Sequence, residues 1–147
     1  MRKIIVLFIL FAFMLQSCGE SCGECFTPPQ NFMFEIVDKE SGANLFTNGT
    51  YMSSQIQMTN TLNDSPVEFT FINENNNNLI SIDGIGWKTE IVNLKVDIAN
   101  NQLFKLYVDA ERKSADCCNF TKYNEINLSE CEFELDSQTV IYKILVE

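Results

Sequence analysis

A chain of 147 residues with ten Lys/Arg against twenty Asp/Glu carries a formal charge of −10. That balance argues against nucleic acid as a partner, because phosphate backbones recruit basic surfaces. The chain has no histidine, which excludes His-activated nucleophiles, imidazole metal ligands and the commonest side-chain pH switch.

Arg2 and Lys3 form a short positive start, and Ile4 to Leu15 form an unbroken apolar run of twelve residues. The run is too short for a transmembrane helix, which needs about twenty residues. A basic start, a short apolar core and a small-residue cleavage site describe an export signal. Its end, Leu15-Gln16-Ser17-Cys18, resembles the lipobox at which bacterial lipoproteins are cut before an acylated cysteine. This places a signal peptide at 1–17 and lipidation at Cys18. The protein is then anchored to a membrane through lipid and does not span it, since several acyl chains hold far better than one. Cleavage leaves 130 residues (147 less 17) with eight Lys/Arg against twenty Asp/Glu, a net charge of −12. That length suits one domain, and the charge also disfavours anionic headgroups as partners.

Residues 18–30, CGESCGECFTPPQ, read as a lipidated tether, with Pro28-Pro29 favouring an extended segment. Residues 31–147 read as a single β-domain. Period-two alternation, the strand signal, recurs along it. Phe32, Phe34 and Ile36 share one face. Met52, Ile56 and Met58 follow, then Val67, Phe69 and Phe71. Val92, Leu94, Val96 and Ile98 alternate with Asn93, Lys95 and Asp97, and Phe104, Leu106 and Val108 repeat the pattern. Cys131, Phe133 and Leu135 are expected to face the core, opposite Glu132, Glu134 and Asp136. The last strand, Thr139 to Val146, is apolar on both faces and is expected at a covered position. Turn clusters separate these runs, at Asp38 to Gly42, Asn60 to Pro66, Asn73 to Asn78, Asp83-Gly84 and Asn100-Asn101. Glu111 to Asp116 is expected to form at most one helical turn. The fold class is all-β: an antiparallel two-sheet sandwich, Ig-like or transthyretin-like, of about seven to nine strands. A small β-barrel is the alternative.

With Cys18 assigned to lipid, Cys22, Cys25, Cys117, Cys118 and Cys131 remain, an odd number in a compartment where disulfides persist. Sequence alone leaves the connectivity open. The disulfide candidates are Cys25, Cys117, Cys118 and Cys131. The favoured bridge joins Cys25 to Cys117 or Cys118, and a hairpin turning near Asn124 would set Cys118 opposite Cys131. Cys22-Gly23-Glu24-Cys25 has CxxC spacing, but it lies in a Gly-rich tail before two prolines, not at a helix start, and no second CxxC completes a zinc set. No metal and no cofactor are expected.

Glu132 and Glu134 share a strand face about 7 Å apart, a spacing open to glycosidase chemistry, although a solvated outer face is the plainer reading. Trp87, after Ile85-Gly86, lies outside the strand patterns and is the one candidate ligand-binding residue, as part of a sugar-stacking platform. Tyr51, Tyr107, Tyr123 and Tyr142 lie in strand patterns and read as core aromatics. No catalytic constellation is present in the pattern.

Several features together resemble those of small uncharacterised Bacteroidota lipoproteins: the Leu15-Gln16-Ser17-Cys18 end, the Cys25-Phe26-Thr27-Pro28-Pro29 start, Val37-Asp38-Lys39 with Gly42, Asn44-Leu45-Phe46, and the Cys117-Cys118 pair. The resemblance implies a cell-envelope location, on the outer membrane with its face open, and a β-sandwich. It implies no substrate. The expected function is a non-enzymatic binding or accessory module, with an envelope protein or a glycan as partner. The alternative is a carbohydrate-binding accessory lipoprotein of a glycan-uptake system.

Overall fold

The computed structural model describes residues 25–74, 77–115 and 118–147, so the segment assigned to the signal peptide, with Cys18 and Cys22, lies outside the described residues. Eleven strands follow in the order β1 (Cys25–Phe26), β2 (Phe32–Asp38), β3 (Ile56–Asn60), β4 (Ser65–Pro66), β5 (Thr70–Glu74), β6 (Asn77–Ile82), β7 (Glu90–Ile98), β8 (Asn101–Ala115), β9 (Cys118–Ser129), β10 (Glu132–Asp136) and β11 (Ile141–Val146). They build a six-stranded sheet, β1-β9-β8-β7-β3-β4, and a five-stranded sheet, β10-β11-β2-β6-β5. The two sheets share one core and do not close into a barrel. Phe34 of one meets Phe104 of the other with ring centroids 4.8 Å apart.

The alternation read from the sequence is what builds this core. Val92, Leu94, Val96 and Ile98 of β7 lie opposite Val108, Leu106, Phe104 and Asn101 of β8, and these apolar side chains are all buried. Burial at this scale, roughly 1.5–3 kcal/mol for each large apolar side chain, is the main drive to fold. Ala99 and Asn100 connect the two strands with φ of 52° and 64°. This is the left-handed pair that a tight hairpin turn requires.

The structure departs from the expectations where partners are distant in sequence. The sheets are mixed, not antiparallel, because β1 pairs parallel with β9 and β11 parallel with β2. Among the described residues there are eleven strands and not seven to nine, partly because single alternating runs change sheets. Ser65–Pro66 pairs with β3, whereas Thr70–Glu74 pairs with β6 in the other sheet, so the Val67–Phe71 run is not one strand. The chain crosses sheets again between β9 and β10, at Glu130, whose φ is 63°. The last strand does lie between two neighbours, but it starts at Ile141, because Val140 closes the preceding turn with a φ of 57°.

Glu111 to Ala115 are not helical. They continue β8 in register with Lys122 down to Cys118 of β9, and cross-strand pairing overrides the local propensity. The hairpin near Asn124 is likewise absent, since β9 runs unbroken from Cys118 to Ser129 and Asn124 lies within it. The antiparallel pairing of β9 is instead with β8, where Ala115 stands opposite Cys118. Phe133 and Leu135 are exposed, not core, because β10 is a sheet edge, although Phe133 still reaches the Tyr142 ring at 6.0 Å.

Candidate functional site

The longest hairpin, β8 with β9, projects past the rest of the sandwich, and a cap forms on its inner face. Cys25 opens the cap. It pairs opposite Cys118 and is disulfide-bonded to it, with Cα atoms 4.5 Å apart across 93 residues of sequence. The Thr27 N–H then donates to the Asn119 carbonyl at 2.9 Å, Pro29 is buried, and the Gln30 N–H donates to the Tyr123 hydroxyl at 3.2 Å. Residues 25–30, within the stretch read as tether, are thus held against the sandwich.

The loop between β6 and β7 supplies the second half. The Gly86 N–H donates to Glu90 Oε1 at 3.0 Å, while its carbonyl accepts the Thr121 hydroxyl at 2.7 Å. Gly86 has a φ of +98°, and a Cβ there would stand 2.8 Å from Thr121 Cγ2 and 2.9 Å from the Tyr123 hydroxyl. Only glycine satisfies both the backbone conformation and the space. The Tyr123 hydroxyl donates in turn to the Ile85 carbonyl at 3.3 Å, and burial raises its pKa.

Gly86 thereby sets the position of Trp87, whose indole N–H donates to the Asp83 carbonyl at 3.1 Å. The Trp87 ring stacks on Phe26, centroids 5.6 Å apart and planes within 23°. Both rings stay open to solvent, at 52% and 53% relative exposure. Arg112 completes the group. Its guanidinium lies 5.1 Å from the Phe26 centroid and 6.0 Å from that of Trp87. One guanidinium nitrogen, Nη1, donates both to the Thr27 carbonyl at 3.1 Å and to the Thr121 hydroxyl at 2.8 Å. The result is a half-exposed aromatic pair with a cation fixed beside it. Such a surface can stack on rings or sugar faces and engage anionic oxygens.

Trp87 is therefore exposed and part of a cluster, while Tyr142 is buried against Phe34 and Tyr123 is tied into the cap. The sequence reading missed Phe26, placed in the tether, and Arg112, placed in a helical turn. Parity offered a signal for Arg112, because it follows buried Ala110 by two residues on β8 and shares its face.

Of the disulfide candidates, Cys25 and Cys118 are joined, Cys117 lies outside the described residues, and Cys131 is unpaired among the described residues and half-buried. Burial pushes the Cys131 thiol up, which keeps it protonated at neutral pH. Bonding Cys25 to Cys118 removes two thiolates that a zinc set would need. Among the described residues no His/Cys/Asp/Glu group could hold a metal ion, and no helix is long and apolar enough to cross a membrane. Glu132, one of the two spaced carboxylates, accepts Lys39 Nζ at 2.9 Å on the open surface. No family model, curated protein or solved structure matches the chain.

Proposed function

We propose that the protein is a lipid-anchored, non-enzymatic binding and accessory module of the bacterial envelope, exported, acylated on Cys18 and held on the outer membrane. One observation carries the binding reading: the exposed Phe26–Trp87 pair with Arg112 beside it. Aromatic side chains and Arg dominate contact energies at recognition surfaces, and here the cap immobilises them before any partner arrives, which lowers the entropy cost of binding. The Ig-like or transthyretin-like assignment suits this reading, since sandwiches of that kind carry binding loops at their ends. The Cys25–Cys118 bridge is consistent with an oxidising compartment.

The carbohydrate-binding alternative draws on the near-parallel exposed rings, which suit the apolar face of a sugar. It predicts that Trp87→Ala abolishes retention in a polysaccharide affinity gel. The main reading is tested by fractionating cells that carry the wild type and Cys18→Ser. Wild type sediments with membranes and floats on a density gradient, whereas Cys18→Ser is soluble or retains its signal. A Cys18→Ser protein that has lost its signal peptide and still floats with membranes, or turnover of an envelope substrate by purified protein, overturns the proposal.

A further inference from the structure

Resting on the proposed anchor at Cys18, we propose that the Phe26–Trp87–Arg112 end of the sandwich seats in the interface of the membrane that carries the anchor. Reach gives the first argument. Cys25 follows Cys18 by seven residues, and seven fully extended residues span at most about 25 Å. Cys25 is fixed to Cys118 at the hairpin's tip. β8 alone is 15 residues long, about 50 Å at a strand's rise. An anchor that short holds the capped end near the bilayer and the far end away from it.

Chemistry gives the second. Tryptophan concentrates at membrane–water interfaces, where an amphipathic ring sits at headgroup depth, and Arg meets phosphate oxygens with a planar fork of donors. Trp87 and Phe26 are half-exposed within a few ångströms of the Arg112 guanidinium.

Charge gives the third. Around the cap Lys88, Arg112, Lys113 and Lys122 stand against Asp83, Glu90 and Glu111, with Glu24 and Asp116 adjacent in sequence, so charges there are close to balanced in a strongly acidic chain. At the opposite end Asp38, Glu40, Glu132 and Glu147 gather around Lys39. A negative membrane surface therefore repels the far end more than the cap. The patch needs little affinity of its own, because a short tether supplies an effective concentration in the millimolar range.

The chain contains one tryptophan, so its fluorescence reports the patch directly. The acylated protein is reconstituted on vesicles of phosphatidylethanolamine and phosphatidylglycerol, floated, and its Trp87 emission recorded. Seating shifts the emission to the blue, protects it from acrylamide and exposes it to quenching by brominated phospholipid. A long Gly-Ser insertion between Gly23 and Glu24 weakens all three effects. Floating protein whose Trp87 emission matches the soluble protein and stays open to acrylamide overturns the seating while leaving the anchor standing. Failure to float overturns the anchor and the seating with it. An emission change produced by soluble polysaccharide and not by lipid assigns the patch to glycan and overturns the seating as well.

Discussion

The two ends of the sandwich are closed by different physics. At the capped end a disulfide, a guanidinium shared between two oxygens, and hydroxyl-to-carbonyl bonds tie β1, β9 and the Trp87 loop together, the bonds of the Thr121 hydroxyl being partly buried. At the far end Lys39 bridges Glu132 and Glu147 at 2.9 Å each, with all three side chains at the surface. Covalent and partly buried links resist solvent, whereas exposed ion pairs are screened and contribute little. The more strongly fastened end is the one that presents exposed aromatics. Rings left in water cost free energy, and a rigid cap prevents them from collapsing inward.

Breaking the capped end is expected to give the largest effects. Cys118→Ser opens a loop of 93 residues, and the chain-entropy model assigns such a loop roughly 4–5 kcal/mol. Denaturant unfolding should show that loss as a lower midpoint, and Trp87 emission should move toward that of open solvent as β1 detaches. A variant of unchanged midpoint would mean that β1 is held by its hydrogen bonds alone.

Gly86→Ala comes next. A Cβ at a φ of +98° meets Thr121 and Tyr123 at under 3.0 Å. Left-handed backbone and overpacking together cost about 2–4 kcal/mol. The same substitution at Gly42, where nothing lies within 4 Å of the added Cβ, isolates the backbone share. A destabilisation at Gly86 no larger than that at Gly42 would show that the loop yields.

Arg112→Ala leaves the Thr27 carbonyl and the Thr121 hydroxyl each short of one donor. Removing one partner of a half-buried pair costs about 1–3 kcal/mol. Arg112→Lys is expected to restore only part of it, since a flexible ammonium cannot reproduce two in-plane bonds while lying beside two rings. Full recovery by lysine would assign Arg112 a role as simple charge.

How far the sequence anticipated this contrast follows from the range of each interaction. Alternation along β7 and β8 is local, so Val92 to Val108 were readable as core. The bridge from Cys25 to the vicinal pair was favoured from the place of Cys25 just ahead of Pro28-Pro29, with the choice between Cys117 and Cys118 left open and taken by Cys118 in the structure. Sheet switching after Pro66 and after Ser129 left no local mark, since the alternation continues while the partner changes. The parallel β11–β2 pair joins strands about a hundred residues apart, which no local pattern encodes. Trp87 stood out because it fell between strands. Phe26 and Arg112 did not, because what makes them a site is a fold that brings residues 26, 87 and 112 to one end.

The smallest effect separates the ends by pH. Hydrogen bonds donated by the Lys39 ammonium to Glu132 and then to Glu147 hold its pKa above the usual lysine value. A raised pKa means that the folded state binds this proton more tightly than the unfolded chain does. The contribution is therefore present in full below the unfolded value, about 10.4, and is lost as pH rises through the folded one. Lys39→Ala should accordingly change the unfolding midpoint least, less still at high salt, and not at all once the lysine is deprotonated. The acid side carries the opposite sign. The Ser41 hydroxyl and N–H lower the Asp38 pKa, and Lys105 lowers that of Glu130, so both contributions hold above the ordinary carboxylate range and fade as pH falls through the folded values. The disulfide, the Arg112 bonds and the Thr121–Gly86 bond neither gain nor lose a proton there. Amide protection factors, corrected for the intrinsic exchange rate at each pH and followed from neutral to acid, should therefore fall first around Asp38 and Glu130 and only later at Thr27 and Gln30. A simultaneous fall at both ends would mean that the fold opens as a single unit, and that the difference in fastening does not survive as a difference in local stability.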